Sequence, residues 1–289
     1  MNKVLKGIIA TGLALSLVGC SGGNQEASSG SEQTSGGSED KVLKVVATAN
    51  PHAVILEEAA PILEQEYGIT LEVEVTDDYY IPNKAVSDGD ADANYFQHIP
   101  FFNQETADNG YAISNVGGIH IEPFGIYSKS VTDASEVADG ATVVISNSVS
   151  DNGRILAILD SAGLVKLPEG ADVLSITIAD IDNEENNPKG LKFQEVKPEL
   201  LVTAYENGEG DLVAINGNFA IQAGLKPGED AVILEVANQE NPYVNIVACQ
   251  QGHENDEKIV ALVEVLQSDA IRSFIESTWS DGSVIPAVH

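Results

Sequence analysis

The feature that most limits the fold begins at residue 41. From there onward, short β-branched runs alternate with segments whose apolar residues recur at helical spacing. KVLKVVATA (41–49) and ITLEVEV (69–75) read as strands around a helix over 51–67, whose apolar face is Ile55, Ala59, Ile62 and Leu63. Pro61 weakens that helix or kinks it. The pattern continues with a short helix at 82–87, a strand at 91–96, a helix at 100–109, extended chain at 119–128 and a buried strand at 141–146. Ser150 or Asp151 is placed to cap a helix over 152–162 that Gly163 ends. Strands at 191–196 and 211–215 flank a helix at 200–207, a short helix follows at 219–223, and strands return at 231–236 and 244–249. The spacing of Ile259, Leu262, Val263, Leu266 and Ile271 predicts one long amphipathic helix over 256–279. There is no internal repeat. Such alternation predicts an α/β fold with largely parallel sheets. About 250 residues are better divided into two lobes with a hinge and a cleft between them than packed as one large sheet.

The first 40 residues are of another kind. A basic start (Lys3, Lys6) leads into a small, apolar run from 7 to 19, too short for the about 20 residues that a membrane span needs. It ends in Leu17-Val18-Gly19-Cys20, which resembles the lipobox at which bacterial lipoproteins are cleaved and lipidated on sulfur. Residues 1–19 are thus expected to be a lipoprotein signal peptide. Lipid on Cys20 would hold the protein on the extracytoplasmic side of the cell membrane, each buried methylene adding about 0.8 kcal/mol. Residues 20–40, rich in Gly, Ser and acid, have too little apolar surface to offset their ordering entropy and read as a flexible tether. With Cys20 lipidated, Cys249 has no partner and is expected to be a small buried hydrophobe.

Charge removes several functions. Asp and Glu number 45 against 14 Lys and Arg, a net −31. Nucleic-acid binding needs a basic face, and so does electrostatic docking on anionic lipid. The chain has no GxxxxGK[ST], GxSxG or HExxH pattern, and its five histidines show no close metal spacing. No cofactor, metal or catalytic residue is expected, and the chain is not read as an enzyme.

Four clusters remain. Arg154, one of only two arginines, opens a helix just after the buried strand at 141–146, at the end of a strand where open α/β sheets bind ligands. Its fork suits a carboxylate, although a surface ion pair is the plainer reading. DANYFQHIPFF (92–102) sets Phe96, His98 and Phe101 after a strand, as pocket lining or as edge packing. In INGNFA (215–220), Asn216 and Asn218 either cap the next helix or offer amide groups to a ligand. Asn245 is one polar residue in an apolar strand.

These clusters come in one order with DYYIPN (78–83), IEPFGIYSK (121–129), NGR (152–154), PYVNI (242–246) and VIPA (284–287), and together they resemble the NlpA-type methionine-binding lipoproteins, receptors of the methionine ABC importer. The likeness covers essentially all of 41–289. It implies a two-lobed periplasmic-binding-protein fold, with 41–128 plus 246–289 as lobe one and 129–245 as lobe two, crossing near 127–131 and 243–247. It implies methionine, L- or D-, as ligand, and an importer permease and ATPase as partners. By the same resemblance Arg154 matches the arginine that holds the ligand carboxylate. Asn245 matches an asparagine at the ammonium, with Asn216 or Asn218 a second. Tyr79, Phe96 and His98 match the side-chain pocket. Phe101 and Phe219 stand where many members have Tyr. A receptor of the same fold for a Met-containing dipeptide or another small amino acid is the alternative.

Overall fold

The computed structural model describes residues 41–236 and 241–287. The expected signal peptide, Cys20 and tether lie outside the described residues. None of the described helices is long and apolar enough to cross a membrane.

Two sheets carry the chain. The first has the order β11-β4-β10-β3-β1-β2, built from β1 (Val42–Ala47), β2 (Thr70–Val75), β3 (Ala93–His98), β4 (Ile113–Ile121), β10 (Val244–Gln250) and β11 (Ile285–Pro286). The second has the order β7-β6-β8-β5-β9, from β5 (Gly125–Tyr127), β6 (Thr142–Ser146), β7 (Lys192–Val196), β8 (Leu212–Ile215) and β9 (Ile233–Leu234). Parallel pairing is confined to β1 with β2 and β3, and to β6 with β7 and β8. The strands next to the crossings run antiparallel: β10 against β3 and β4, β5 against β8 and β9. The expected largely parallel sheets are therefore mixed ones, because a strand that has just left the other sheet enters from the opposite end.

The chain changes sheet between Ile121 and Gly125 and returns between Leu234 and Val244. Both changes come earlier than 127–131 and 243–247, since Gly125, Ile126 and Tyr127 already pair with β8 and Val244 already pairs with β4.

Each sheet has its own apolar core. Leu43, Val45, Tyr95, Val247 and Cys249 of the first pack with α1 (Val54–Tyr67), α8 (Glu257–Leu266) and α9 (Asp269–Thr278). Cys249 is wholly buried there, as expected. Val143, Ile145, Leu212 and Ala214 of the second pack on α4 (Asn152–Ser161). A third cluster joins the two, with Tyr79, Phe96 and Phe101 from one side and Val213, Ile215 and Phe219 from the other. Each fully buried aliphatic side chain contributes roughly 1.5–3 kcal/mol.

Two helices differ from expectation. Pro61 lies inside an intact α1. The long helix over 256–279 is two, α8 and α9, because the Ser268 hydroxyl accepts from the Ile271 amide and starts a new helix. Of the shorter helices, α2 (Ile81–Asp88), α3 (Ile99–Asn109) and α6 (Gly217–Gln222) lead into the site.

Candidate functional site

The strand ends and helix starts of both sheets meet at one pocket. Tyr79, Phe96, His98, Phe101, Arg154, Asn216, Asn218 and Asn245 all line it. Gln97, Glu122, Asp151 and Gly217 line it too, none of them a site residue expected from the sequence, where Asp151 is only a candidate helix cap.

The aromatic part comes from segments of both sides. Tyr79, before α2, stacks on Phe219 of α6 with ring centres 5.2 Å apart, and it meets Phe96 and Phe101 at 6.0 and 5.8 Å. Its hydroxyl donates to Asn218 Oδ1 at 2.5 Å. Burial pushes that hydroxyl's pKa well above its ordinary value, so it is a donor throughout the physiological range. With Oδ1 so occupied, the buried Asn218 Nδ2 has no partner among the described residues.

His98 and Asp151 form a second tie across the pocket. His98 ends β3, and its Nε2 lies 2.9 Å from Asp151 Oδ1, just before α4. The other Asp151 oxygen accepts from Asn216 Nδ2 at 3.0 Å. Asp151 therefore does not cap α4, contrary to expectation: both of its oxygens are engaged in the pocket. Burial works to raise the Asp151 carboxyl, but His98, Asn216 and Arg154 outweigh it and hold it below the ordinary value. Asn216 Oδ1 is buried and unpartnered among the described residues.

Arg154 sits on the first turn of α4, which Gly153 lets press against the backbone. A Cβ at Gly153 would lie 2.0 Å from the Val173 carbonyl oxygen. The guanidinium is only 5 % exposed. Its Nε and Nη2 donate to Glu235 at 3.0 and 2.6 Å, and Nη2 also donates to the Glu122 carbonyl at 2.7 Å. Tyr243 covers its face at 4.3 Å. Glu235 fills the Nε–Nη2 edge of the fork, and only Nη1 is unpartnered among the described residues. Burial would raise the Glu235 carboxyl, but Arg154 outweighs it and holds it low.

Glu122 lies where the chain leaves the first sheet. Burial pushes its carboxyl above the ordinary value, against the pull of His52, Arg154 and His98. Gly217 makes room for it, since a Cβ there would stand 2.6 Å from Glu122 Oε2. Glu122 also draws together two histidines far apart in sequence: the ligating atoms of His52, His120 and Glu122 all lie within 4.8 Å of one another. These atoms are already hydrogen-bonded, His120 Nε2 to Glu122 at 2.9 Å and His52 Nε2 to Asn245 Oδ1 at 3.1 Å.

What reached the sequence reading were residues near turns and strand ends. Nothing in the sequence sets Glu122 apart from the other acids of the 45, and Asp151 stands out only as a helix cap. The one available signal is position: Glu122 directly follows a β-branched run, and Asp151 stands in the polar loop after another, directly before Asn152-Gly153-Arg154.

Comparisons with known proteins agree on one group. A family model described as NlpA lipoprotein matches residues 43–288. The methionine-binding lipoprotein MetQ of Bacillus subtilis (strain 168) is 44% identical over 287 residues, 99% of each chain. A crystal structure of a putative methionine-binding lipoprotein from Bacillus subtilis superposes with a TM-score of 0.81 at 48% identity, covering 86% of this chain and 99% of that one. A nutrient binding protein from Burkholderia cenocepacia, solved bound to methionine, superposes with a TM-score of 0.78 at 30% identity over 85% of this chain and all of its own.

Proposed function

The chain belongs to the NlpA lipoprotein family, and we propose that it is the substrate-binding lipoprotein of an ABC importer, taking methionine into the pocket between its sheets and passing it to the permease and ATPase. On this reading it is a receptor and not an enzyme, and lipid on Cys20 keeps it at the extracytoplasmic face of the cell membrane. One observation carries the proposal. A single pocket lined by buried residues holds a guanidinium, a carboxylate whose charge burial disfavours, an amide oxygen without a partner among the described residues and an aromatic slot.

Each feature suits one part of a zwitterionic amino acid with an apolar tail. The ligand carboxylate is assigned to Arg154 Nη1 and the free Asn218 Nδ2, both donors. The ammonium is assigned to Glu122, Asn245 Oδ1 and the free Asn216 Oδ1, all acceptors. An ammonium supplies the counter-charge that buried Glu122 lacks. The thioether is assigned to the slot of Tyr79, Phe96 and Phe101, with His98 at its edge, where each sulfur–aromatic contact contributes about 0.3–1.5 kcal/mol. A neutral zwitterion is not repelled by a chain of net charge −31, so short-range contacts decide selection.

Calorimetry tests the proposal. The protein is titrated with L- and D-methionine, with other amino acids and with Met-containing dipeptides. Saturable binding of methionine in preference to the rest supports it. Binding of a dipeptide or of another amino acid with no heat from methionine overturns it.

A further inference from the structure

Behind Glu122 and Asn245 lie two buried histidines that do not line the pocket. His52 and His120 are 1 % and 0 % exposed, and their rings meet edge to face at 4.9 Å. Burial lowers each ring's pKa from 6.5 to about 3, so both rings are neutral at physiological pH. A neutral imidazole carries one proton, and its neighbours decide which nitrogen holds it.

For His52 the neighbours leave one answer. Asn245 Oδ1, 3.1 Å from Nε2, can only accept, so Nε2 carries the proton. Nδ1 is then the acceptor, and the Thr48 hydroxyl, 2.7 Å away, donates to it. His120 repeats the pattern. Its Nε2 faces Glu122 Oε1 at 2.9 Å, and the Tyr95 hydroxyl is hydrogen-bonded to its Nδ1. In each case an acceptor in front of Nε2 sets the tautomer, a hydroxyl behind completes it at Nδ1, and the Nε2–H points at an oxygen of a residue that lines the pocket.

We infer that His52 and His120 are positioning residues for ligand recognition, with Thr48–His52 fixing the Asn245 amide at the pocket wall and Tyr95–His120 holding Glu122 there as an acceptor. The inference rests on the assignment of the ammonium to Glu122 and Asn245. Neither ring touches the ligand. Each acts through the side chain in front of it, and together they set the acceptor character of that wall.

The test separates the ammonium from the rest of the ligand. The full-length lipoprotein in detergent is titrated with L-methionine and with its α-hydroxy analogue, which keeps the carboxylate and thioether but lacks the ammonium. Failure of the wild type to bind methionine overturns the functional reading itself. Where it does bind, His120→Leu is expected to weaken methionine about ten-fold and to change the analogue by less than about two-fold. His120→Gln, which keeps a donor near the Nε2 position, is expected to recover most of the loss. Equal losses for both ligands, or no recovery by Gln, overturn the inference. If His120→Leu does not fold, Tyr95→Phe gives the same readout by removing only the hydroxyl behind the ring. Nitrogen-15 spectra of the wild type provide an independent check. Both rings are expected neutral with the proton on Nε2 at pH 7, and a proton on Nδ1 of either ring overturns the inference.

Discussion

The two walls of the pocket solve one problem in different ways. On the wall formed by the first sheet, polar groups are held by neutral partners: Thr48, His52 and Asn245 in one line, Tyr95, His120 and Glu122 in another. On the wall formed by the second sheet they are held by charged groups of their own: Arg154 pairs with Glu235, and the Asp151 carboxylate is hydrogen-bonded to Asn216 and, across the pocket, to His98. A neutral relay limits the charge to be desolvated and leaves Glu122 in need of a cation. An ion pair brings its own counter-charge and makes removal of either partner costly, because the other is left buried and alone. The first wall accordingly offers Glu122 as an acceptor, and the second offers the one guanidinium.

The largest expected effect breaks the ionic wall. Arg154→Ala strands Glu235, whose side chain is 12 % exposed, and removes the guanidinium, a cost of about 3–5 kcal/mol. Calorimetry at micromolar methionine is expected to show no binding, and the melting temperature is expected to fall with it. A variant that still binds with unchanged affinity would remove Arg154 from the site.

The neutral wall is tested at its one carboxylate. Glu122→Gln keeps shape and removes charge, and a hydrogen bond to a charged group is worth about 1.5–3 kcal/mol. Methionine affinity is expected to fall about ten- to a hundred-fold while the α-hydroxy analogue is nearly unaffected. Equal losses for the two would mean that both walls read the carboxylate end.

Acid distinguishes the walls through stability. The two histidines have folded pKa values of about 3 against 6.5, so the unfolded chain binds more protons between those limits. Stability is therefore lost as pH falls from 6.5 toward 3, at up to about 1.4 kcal/mol per pH unit for each ring. Glu122, held above its ordinary value, works in the opposite sense and offsets part of this. Asp151 and Glu235 are held low, and their contribution disappears only below the ordinary carboxylate range. A His52→Gln, His120→Gln double variant is expected to show a shallower decline in melting temperature over that window. An unchanged slope would mean that neither ring is buried neutral.

The smallest effect lies where the walls touch. Tyr79→Phe removes the hydroxyl that donates to Asn218 and leaves the stacked ring in place. About 0.5–1.5 kcal/mol of stability is expected to be lost in denaturant titration, and a loss several times larger would make this bond the main fastening between the walls.

The sequence showed the alternation of elements because strand and helix periods are local. It showed Arg154 and the Asn residues because each stands out against an apolar or acidic surround. It did not show the break at Ser268, where a single hydroxyl in an unbroken apolar stripe decides the outcome. It did not show Glu122 with His52 and His120 either. Those three are brought together only by the register of β4 against β10 and by the turn before α1, which depend on pairings across more than a hundred residues. Glu235 was missed for a similar reason. Nothing near it in sequence names Arg154, 81 positions away, as its partner.

Arg154 holds the Glu122 carbonyl and the Glu235 carboxylate at once, and those residues stand at the two places where the chain passes between its sheets. One side chain is therefore clasped to both passages, like a pin through the two straps of a hinge. A change at this one planar cation reaches both passages at once.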